Sequence, residues 1–116
     1  MMSKVVSIDN TEHYQWGGVC DGWHLAATPN LSVIQERVPP GAQEAKHFHH
    51  FAEQFFYILA GQAQLEIDGE VLKLNAGQGA QVSAKTPHQL KNVSSEVVSM
   101  LVISTPASHG DRTTLE

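Results

Sequence analysis

The stretch GAQEAKHFHHFAEQFFYILAG, residues 41–61, carries the features that decide the fold. His47 and His49 lie two positions apart, and in an extended strand the side chains at i and i+2 point to the same face. A strand through this point therefore presents two imidazoles side by side. Gln54 follows, and an apolar run leads from it to Gly61. The pattern predicts a strand that supplies half of a metal site, followed by a strand that is apolar on both faces.

A third imidazole is available in GQGAQVSAKTPHQLKN, residues 77–92. Together the two stretches resemble the paired motifs of the cupin superfamily, whose members are small antiparallel β-barrels. Two departures, Ser83 in place of the usual proline and Lys85 in place of the usual glycine, affect a turn and not a ligand. Several residue types agree at fixed spacings, so the resemblance is specific, and it covers roughly residues 31 to 105. The matching positions are Gly41, His47, His49, Gln54 and Gly61 in the first motif and Gly77, His88 and Asn92 in the second.

The resemblance implies a metal held by the three histidines and one oxygen ligand. Such a set suits a divalent transition metal, namely Fe, Ni, Zn, Mn or Cu, because it lacks the thiolates of a soft site and the carboxylates of a calcium site. Counting back from Gly61 assigns the oxygen ligand to Gln54, whereas counting forward from His49 assigns it to Glu53. Strand alternation lets only one of the two face the metal, and the apolar run favours Gln54. The predicted metal ligands are His47, His49, Gln54 and His88.

The neutral ligand set has a chemical consequence. Three imidazoles and an amide leave the charge of the metal uncompensated, which favours isomerase, cyclase or lyase chemistry on a small oxygenated molecule ahead of dioxygenase chemistry. The alternative is a non-catalytic module that binds or senses a small molecule or a metal in the same pocket, since this fold hosts both. An enzyme needs a proton-transfer group near its substrate, and the inward candidates are Glu53, Glu66 and Tyr57.

Short strands separated by turn formers predict an all-β sandwich or barrel, and the resemblance implies a small antiparallel barrel of the jelly-roll or double-stranded β-helix type. Asp68-Gly69 predicts a two-residue hairpin. We expect one domain, in which residues 1–30 add N-terminal strands and turns, including a strand at 4–8. Residues 31–105 form the barrel and residues 106–116 a surface arm. In the strand predicted at 31–38, Gln35 and Arg37 point either into the barrel or to a solvated edge.

Composition limits the partners of the protein. Seven Lys and Arg against twelve Asp and Glu give a net charge of −5, which argues against binding to nucleic acid. No run approaches the ~18 apolar residues of a membrane span, and no signal peptide is visible, so a cytoplasmic location is expected. The single cysteine, Cys20, excludes an internal disulfide. The strands predicted at 54–59 and 97–104 are apolar on both faces, which favours a homodimer that covers the outer face.

Overall fold

Eleven strands make up the regular structure of the computed structural model, which describes residues 4–108 and 110–115. Within these ranges, no helix is long and apolar enough to cross a membrane. The strands are β1 (Glu12–Trp16), β2 (Cys20–Ala27), β3 (Ser32–Val38), β4 (His47–His49), β5 (Glu53–Ala60), β6 (Gln62–Ile67), β7 (Glu70–Asn75), β8 (Gly79–Val82), β9 (His88–Lys91), β10 (Val98–Thr105) and β11 (Arg112–Thr114).

The strands form two sheets in which every pairing is antiparallel. One sheet has six strands in the order β1-β2-β3-β10-β5-β8, and the other has five in the order β11-β4-β9-β6-β7. Side chains from both sheets meet in one apolar core, and Ile58, Leu65, Leu90 and Met100 are among its most completely buried members. This arrangement confirms the predicted antiparallel barrel of the double-stranded β-helix type.

Strand β5 illustrates why these residues form strands. Gln54, Phe56 and Ile58 are buried, whereas Phe55 and Leu59 on the other face are about 40% exposed. This period of two is the pattern of a strand with one face in a core. The same strand therefore delivers Gln54 to the interior and leaves apolar side chains on the outside.

The predicted hairpin at Asp68-Gly69 is confirmed. β6 and β7 pair up to Ile67 and Glu70, which leaves a two-residue loop between them. Its φ angles are 49° at Asp68 and 87° at Gly69. Positive φ at both central residues matches the right-handed twist of the flanking strands, and Asp-Gly tolerates it.

The strand predicted at residues 4–8 is not present. The side chain of Asn10 accepts a hydrogen bond from the backbone N–H of Ser7 at 2.8 Å and donates one to the carbonyl of Val5 at 2.9 Å. These backbone groups are therefore occupied in a local turn and do not join a sheet. The first strand begins only at Glu12.

Strand β3 turns its even-numbered side chains inward. Ser32, Ile34 and Glu36 line the interior cavity, whereas Arg37 is exposed and lies 3.6 Å from the carboxylate of Asp21. The pairing of β3 with β2 on one side and β10 on the other sets this orientation. Of the two orientations considered for Gln35 and Arg37, the structure therefore adopts the outward one.

The C-terminal residues form a strand that the sequence pattern did not predict. β11 pairs antiparallel with β4, and Arg112 lies opposite His49 while Thr114 lies opposite His47. The segment expected to be a surface arm thus adds a strand to the five-stranded sheet, directly beside the His-x-His strand.

Candidate metal centre

Three histidines converge from two neighbouring strands. β4 carries His47 and His49 on one face, and β9 begins at His88, which is the residue paired with His47 across the ladder. One ring nitrogen from each residue lies within 4.8 Å of those of the other two. All three side chains are buried, with 3%, 5% and 1% of their surface exposed. The structure thus brings together, in the interior, the three imidazoles that the sequence motifs predicted.

Hydrogen bonds to backbone carbonyls define the tautomers of two of these rings. Nδ1 of His47 lies 2.7 Å from the carbonyl oxygen of Ala45, and Nδ1 of His88 lies 2.9 Å from that of Thr86. A carbonyl oxygen can only accept a hydrogen bond, so each Nδ1 carries the proton. In the neutral ring, Nε2 is then left with a free lone pair, as a metal ligand requires.

Among the residues that the structure describes, the ring nitrogens of His49 lack the hydrogen-bond partners that the other two rings have. Both of its ring nitrogens are buried, and neither has a hydrogen-bond partner within the described part of the chain. A buried polar nitrogen without a partner costs free energy. A cation shared with the neighbouring imidazoles would satisfy it, so the donor set fits a divalent transition metal.

Gln54 lies beside the histidines, and Glu53 does not. The Gln54 side chain is 6% exposed; its Oε1 is 3.1 Å from Nε2 of His88, and its Nε2 donates to Oγ of Ser104 at 2.9 Å. Because the His88 proton is on Nδ1, a lone pair on Nε2 of His88 faces a lone pair on Oε1 of Gln54 across this 3.1 Å. A shared cation would relieve this contact. Glu53 is exposed on the opposite face of β5, where its carboxylate accepts a hydrogen bond from Gln81.

Burial keeps the histidines in the neutral form that metal ligation needs. Desolvation lowers the pKa of His47 to about 3, and it also lowers the pKa values of His49 and His88. The positive charge of Arg112 acts in the same direction on all three. No proton therefore has to be displaced from these rings at neutral pH before a metal binds.

His47 and His49 open onto a cavity of about 780 Å³. Its volume falls in the range of sites for small organic ligands. Apolar side chains form part of its wall, which favours exclusion of water. The side chains that line the cavity include Tyr14, Ile34, Glu36, Glu44, His47, His49, Gln54, Phe56, Val102, Ser104 and Arg112.

Two carboxyl groups in this wall were missed by the sequence analysis. The pKa of Glu36 is raised to about 8, mainly by burial and also by the neighbouring charge of Glu44. Burial raises the pKa of Glu44 to about 7. The hydroxyl of Tyr14 donates to Oε2 of Glu36 over 3.5 Å. The backbone N–H of Leu90 donates to Oε2 of Glu44 at 3.0 Å. The cavity therefore contains two groups that exchange protons near neutral pH.

The three proton-transfer candidates inferred from the sequence lie elsewhere. Glu53 faces outward, the carboxylate of Glu66 is held by Lys46 at 2.8 Å, and Tyr57 stacks on Phe55. None of the three lines the cavity. Alternation along β3 was the signal that could have identified Glu36, but it left both orientations of that strand open.

Comparison with known proteins agrees with this geometry. A model of the cupin domain matches residues 34–104. The uncharacterized protein MJ1618 of Methanocaldococcus jannaschii is 31% identical over 86 residues, which cover 73% of this chain and 69% of that protein. Other curated relatives are longer, and the aligned region spans less than half of their length.

Solved structures share the fold at low sequence identity. An uncharacterized conserved protein with a double-stranded β-helix domain from Klebsiella pneumoniae superposes with a TM-score of 0.81, at 21% identity over 99% of both chains. Pac13 of Streptomyces, a nucleoside dehydratase, superposes with a TM-score of 0.80, at 16% identity over 99% of this chain and 92% of that chain. The matched cupin domain extends over more than half of the sequence and includes all three converging histidines. The protein therefore belongs to the cupin family.

Proposed function

We propose that this cupin is a metal-dependent enzyme that acts on a small oxygenated molecule. The observation that carries the proposal is the convergence of three buried, neutral imidazoles, two of which line a cavity, with both ring nitrogens of His49 lacking a partner among the described residues. His47, His49 and His88 would hold Fe, Ni, Zn, Mn or Cu, and Gln54 would supply the oxygen ligand. When bound, the metal would supply a Lewis acid that polarises an oxygen of the substrate.

The cavity supports an enzyme over a passive binding module because it contains groups that can transfer protons. Burial raises the pKa values of both carboxyl groups towards neutrality, and that of Glu36 lies above that of Glu44. The first can act as a general acid and the second as a general base. Ile34, Phe56 and Val102 would exclude water around the bound molecule. Isomerase, cyclase and lyase reactions all need such proton transfers, and the fold shared with a nucleoside dehydratase supports this group of reactions.

Metal analysis tests the site. Purified protein loaded with each of the five metals and dialysed should retain about one metal ion per chain by elemental analysis. His47→Ala and His88→Ala should abolish retention. Gln54→Ala should weaken binding, whereas Glu53→Ala, the matched control one residue away, should bind as the wild type does. Full retention in His47→Ala or His88→Ala would show that the site assignment is wrong.

Activity screens separate an enzyme from a binding module. Metal-loaded protein should be assayed for isomerisation and dehydration of sugars and nucleosides, and for oxygen uptake, which reports dioxygenase chemistry. Glu36→Gln should keep its metal and lose most of the activity that the screens detect. A protein that holds its metal and turns over nothing in these screens would favour the binding module.

The outer face of the six-stranded sheet supports a homodimer. Phe55, Tyr57 and Leu59 on β5 lie beside Leu101 and Ile103 on β10, and these side chains are only half-buried or exposed in one chain. A second copy would cover this apolar face. Solution scattering should give about twice the chain mass of 12.7 kDa, and a monomer would contradict the proposal.

A further inference from the structure

The C-terminal strand is attached directly to the strand that carries two of the histidines. β11 pairs with β4 along its whole length, so the chain returns to the metal centre after leaving the barrel at β10. Beyond the ladder, the backbone N–H of Leu115 donates to the carbonyl of Lys46 at 2.8 Å, and Oγ1 of Thr113 lies 3.1 Å from Nε2 of His50. The metal site proposed above does not by itself require any of these contacts.

Asp111 makes the most specific of these contacts. Its Oδ1 accepts a hydrogen bond from the backbone N–H of His50 at 2.9 Å, and its Oδ2 accepts from those of Phe51 at 2.9 Å and Ala52 at 3.0 Å. Three successive N–H groups therefore converge on one carboxylate. These three residues form the whole connection between β4 and β5, the two strands that carry His49 and Gln54.

The charge of Asp111 also acts on His49. Partial burial alone would raise the pKa of Asp111, but the three N–H donors and the neighbouring His49 hold it below its ordinary value, so Asp111 is ionised. A negative charge at this position favours a cation held by His49.

We propose that Asp111 is a positioning residue for the metal centre. It fixes the connection that joins the His49 strand to the Gln54 strand, and it places near these ligands the negative charge that three imidazoles and an amide lack. Groups outside the ligand set that hold the ligands in position raise the affinity of a site for its metal. The proposal rests on the metal site described above, with His49 as a ligand.

The geometry separates this role from simple attachment of the C-terminal strand. The ladder between β11 and β4 and the contacts of Thr113 and Leu115 do not involve the Asp111 side chain, so we expect them to remain when Asp111 is changed. Asp111→Asn is the closest variant in shape, but its amide NH₂ would replace one carboxylate oxygen and face backbone N–H donors. The variant therefore loses the charge and part of the hydrogen bonding while the strand keeps its other contacts.

Cobalt binding measures the effect. The 116-residue wild type, Asp111→Asn and Asp111→Ala are titrated with Co²⁺ by visible absorption, well below their melting temperatures. Leu74→Ala is the control, because Leu74 is buried in β7 at the opposite edge of the same sheet and does not line the cavity. Both Asp111 variants should bind Co²⁺ about 10- to 100-fold more weakly and with an altered absorption spectrum. Leu74→Ala should melt at a lower temperature but keep the wild-type affinity and spectrum.

Amide hydrogen exchange in the metal-free proteins gives a second readout. The N–H groups of Phe51 and Ala52 should be protected in wild type and in Leu74→Ala, and they should exchange much faster in both Asp111 variants. Wild-type affinity and spectrum in Asp111→Ala, or equal losses of affinity in Asp111→Ala and Leu74→Ala, would overturn the positioning role alone. Failure of the wild-type protein to bind Co²⁺ would instead overturn the metal centre itself.

Discussion

Replacing Glu36 by glutamine should stabilise the folded protein at alkaline pH. Glu36 is half-buried in the cavity wall, where Tyr14 donates to it and Glu44 is a neighbouring carboxyl group. Glutamine has nearly the same shape and keeps an oxygen that can accept the hydrogen bond from Tyr14. The substitution therefore removes an ionisable group from the wall and changes little else.

The magnitude follows from the pKa of Glu36. A carboxyl group whose pKa is raised on folding contributes stability that is full below its ordinary value of 4.5 and is lost as the pH rises toward about 8. At 1.36 kcal/mol per pKa unit, the full loss would be about 5 kcal/mol. Because Glu36 is partly exposed, solvent screening reduces this figure, and we expect about 2 kcal/mol. Glu36→Gln has no ionisable group at this position, so it should not lose this stability at alkaline pH.

Urea denaturation of chelator-treated protein at about pH 5 and about pH 9 measures the effect. The free energy of unfolding of Glu36→Gln should exceed that of wild type by about 2 kcal/mol at the higher pH and by much less at the lower pH. Glu70→Gln, which makes the same change of side chain at an exposed position in β7, is the matched control. If Glu36→Gln follows the wild-type pH dependence, Glu36 is ionised at neutral pH and cannot serve as the acid.

Three further predictions concern the fold around the site, each measured by urea denaturation of the metal-free protein. Asn92→Ala should lower the free energy of unfolding by about 3 kcal/mol. The Asn92 side chain is 1% exposed and its amide donates to two backbone carbonyls, which would lose this donor in the variant. Gly61→Ala should lower the free energy of unfolding by about 3 kcal/mol, because Gly61 has a φ of 85° and a Cβ there would lie 2.5 Å from the carbonyl oxygen of Val97. Gly69→Ala, which has open space around the added Cβ, should lower it by only about 1 kcal/mol. Equal losses in the two variants would refute the clash. Because the pKa of His47 is lowered on folding, the free energy of unfolding should fall as the pH drops through 6.5 toward about 3. Between about pH 7 and about pH 5, wild type should therefore lose about 2 kcal/mol relative to His47→Asn. Parallel pH curves for the two proteins would count against a buried neutral ring.

The barrel and the histidines were predictable because local patterns determine them. In β5 the apolar side chains alternate with period two between Gln54 and Leu59, and the structure buries one face as that alternation requires. His47 and His49 are two residues apart on one strand, so any strand through them brings both rings to the same face. Their convergence with His88 followed from the family resemblance, which encodes a long-range contact that periodicity alone does not.

The rest of the site depends on pairing between distant parts of the chain. β3 has polar side chains on both faces, with Glu36 on one and Gln35 on the other, so its orientation is decided only by its ladders with β2 and β10. The contacts of Asp111 join residues about 60 positions apart, and a three-residue strand has no periodicity that could reveal them. Proton-transfer residues inferred from sequence were wrong for the same reason, because they depended on which face each strand turns inward.

The position of β11 also bears on how the protein avoids self-association through its sheets. β4 is only three residues long, and its ladder with β9 consists of a single pair, so β11 is its main backbone partner. Without β11, β4 would become an exposed edge with free N–H and C=O groups, which is the usual starting point of strand exchange and fibrous aggregation. The C-terminal strand therefore covers the edge of the histidine strand, and it prevents pairing with strands of neighbouring molecules as long as β11 stays in place.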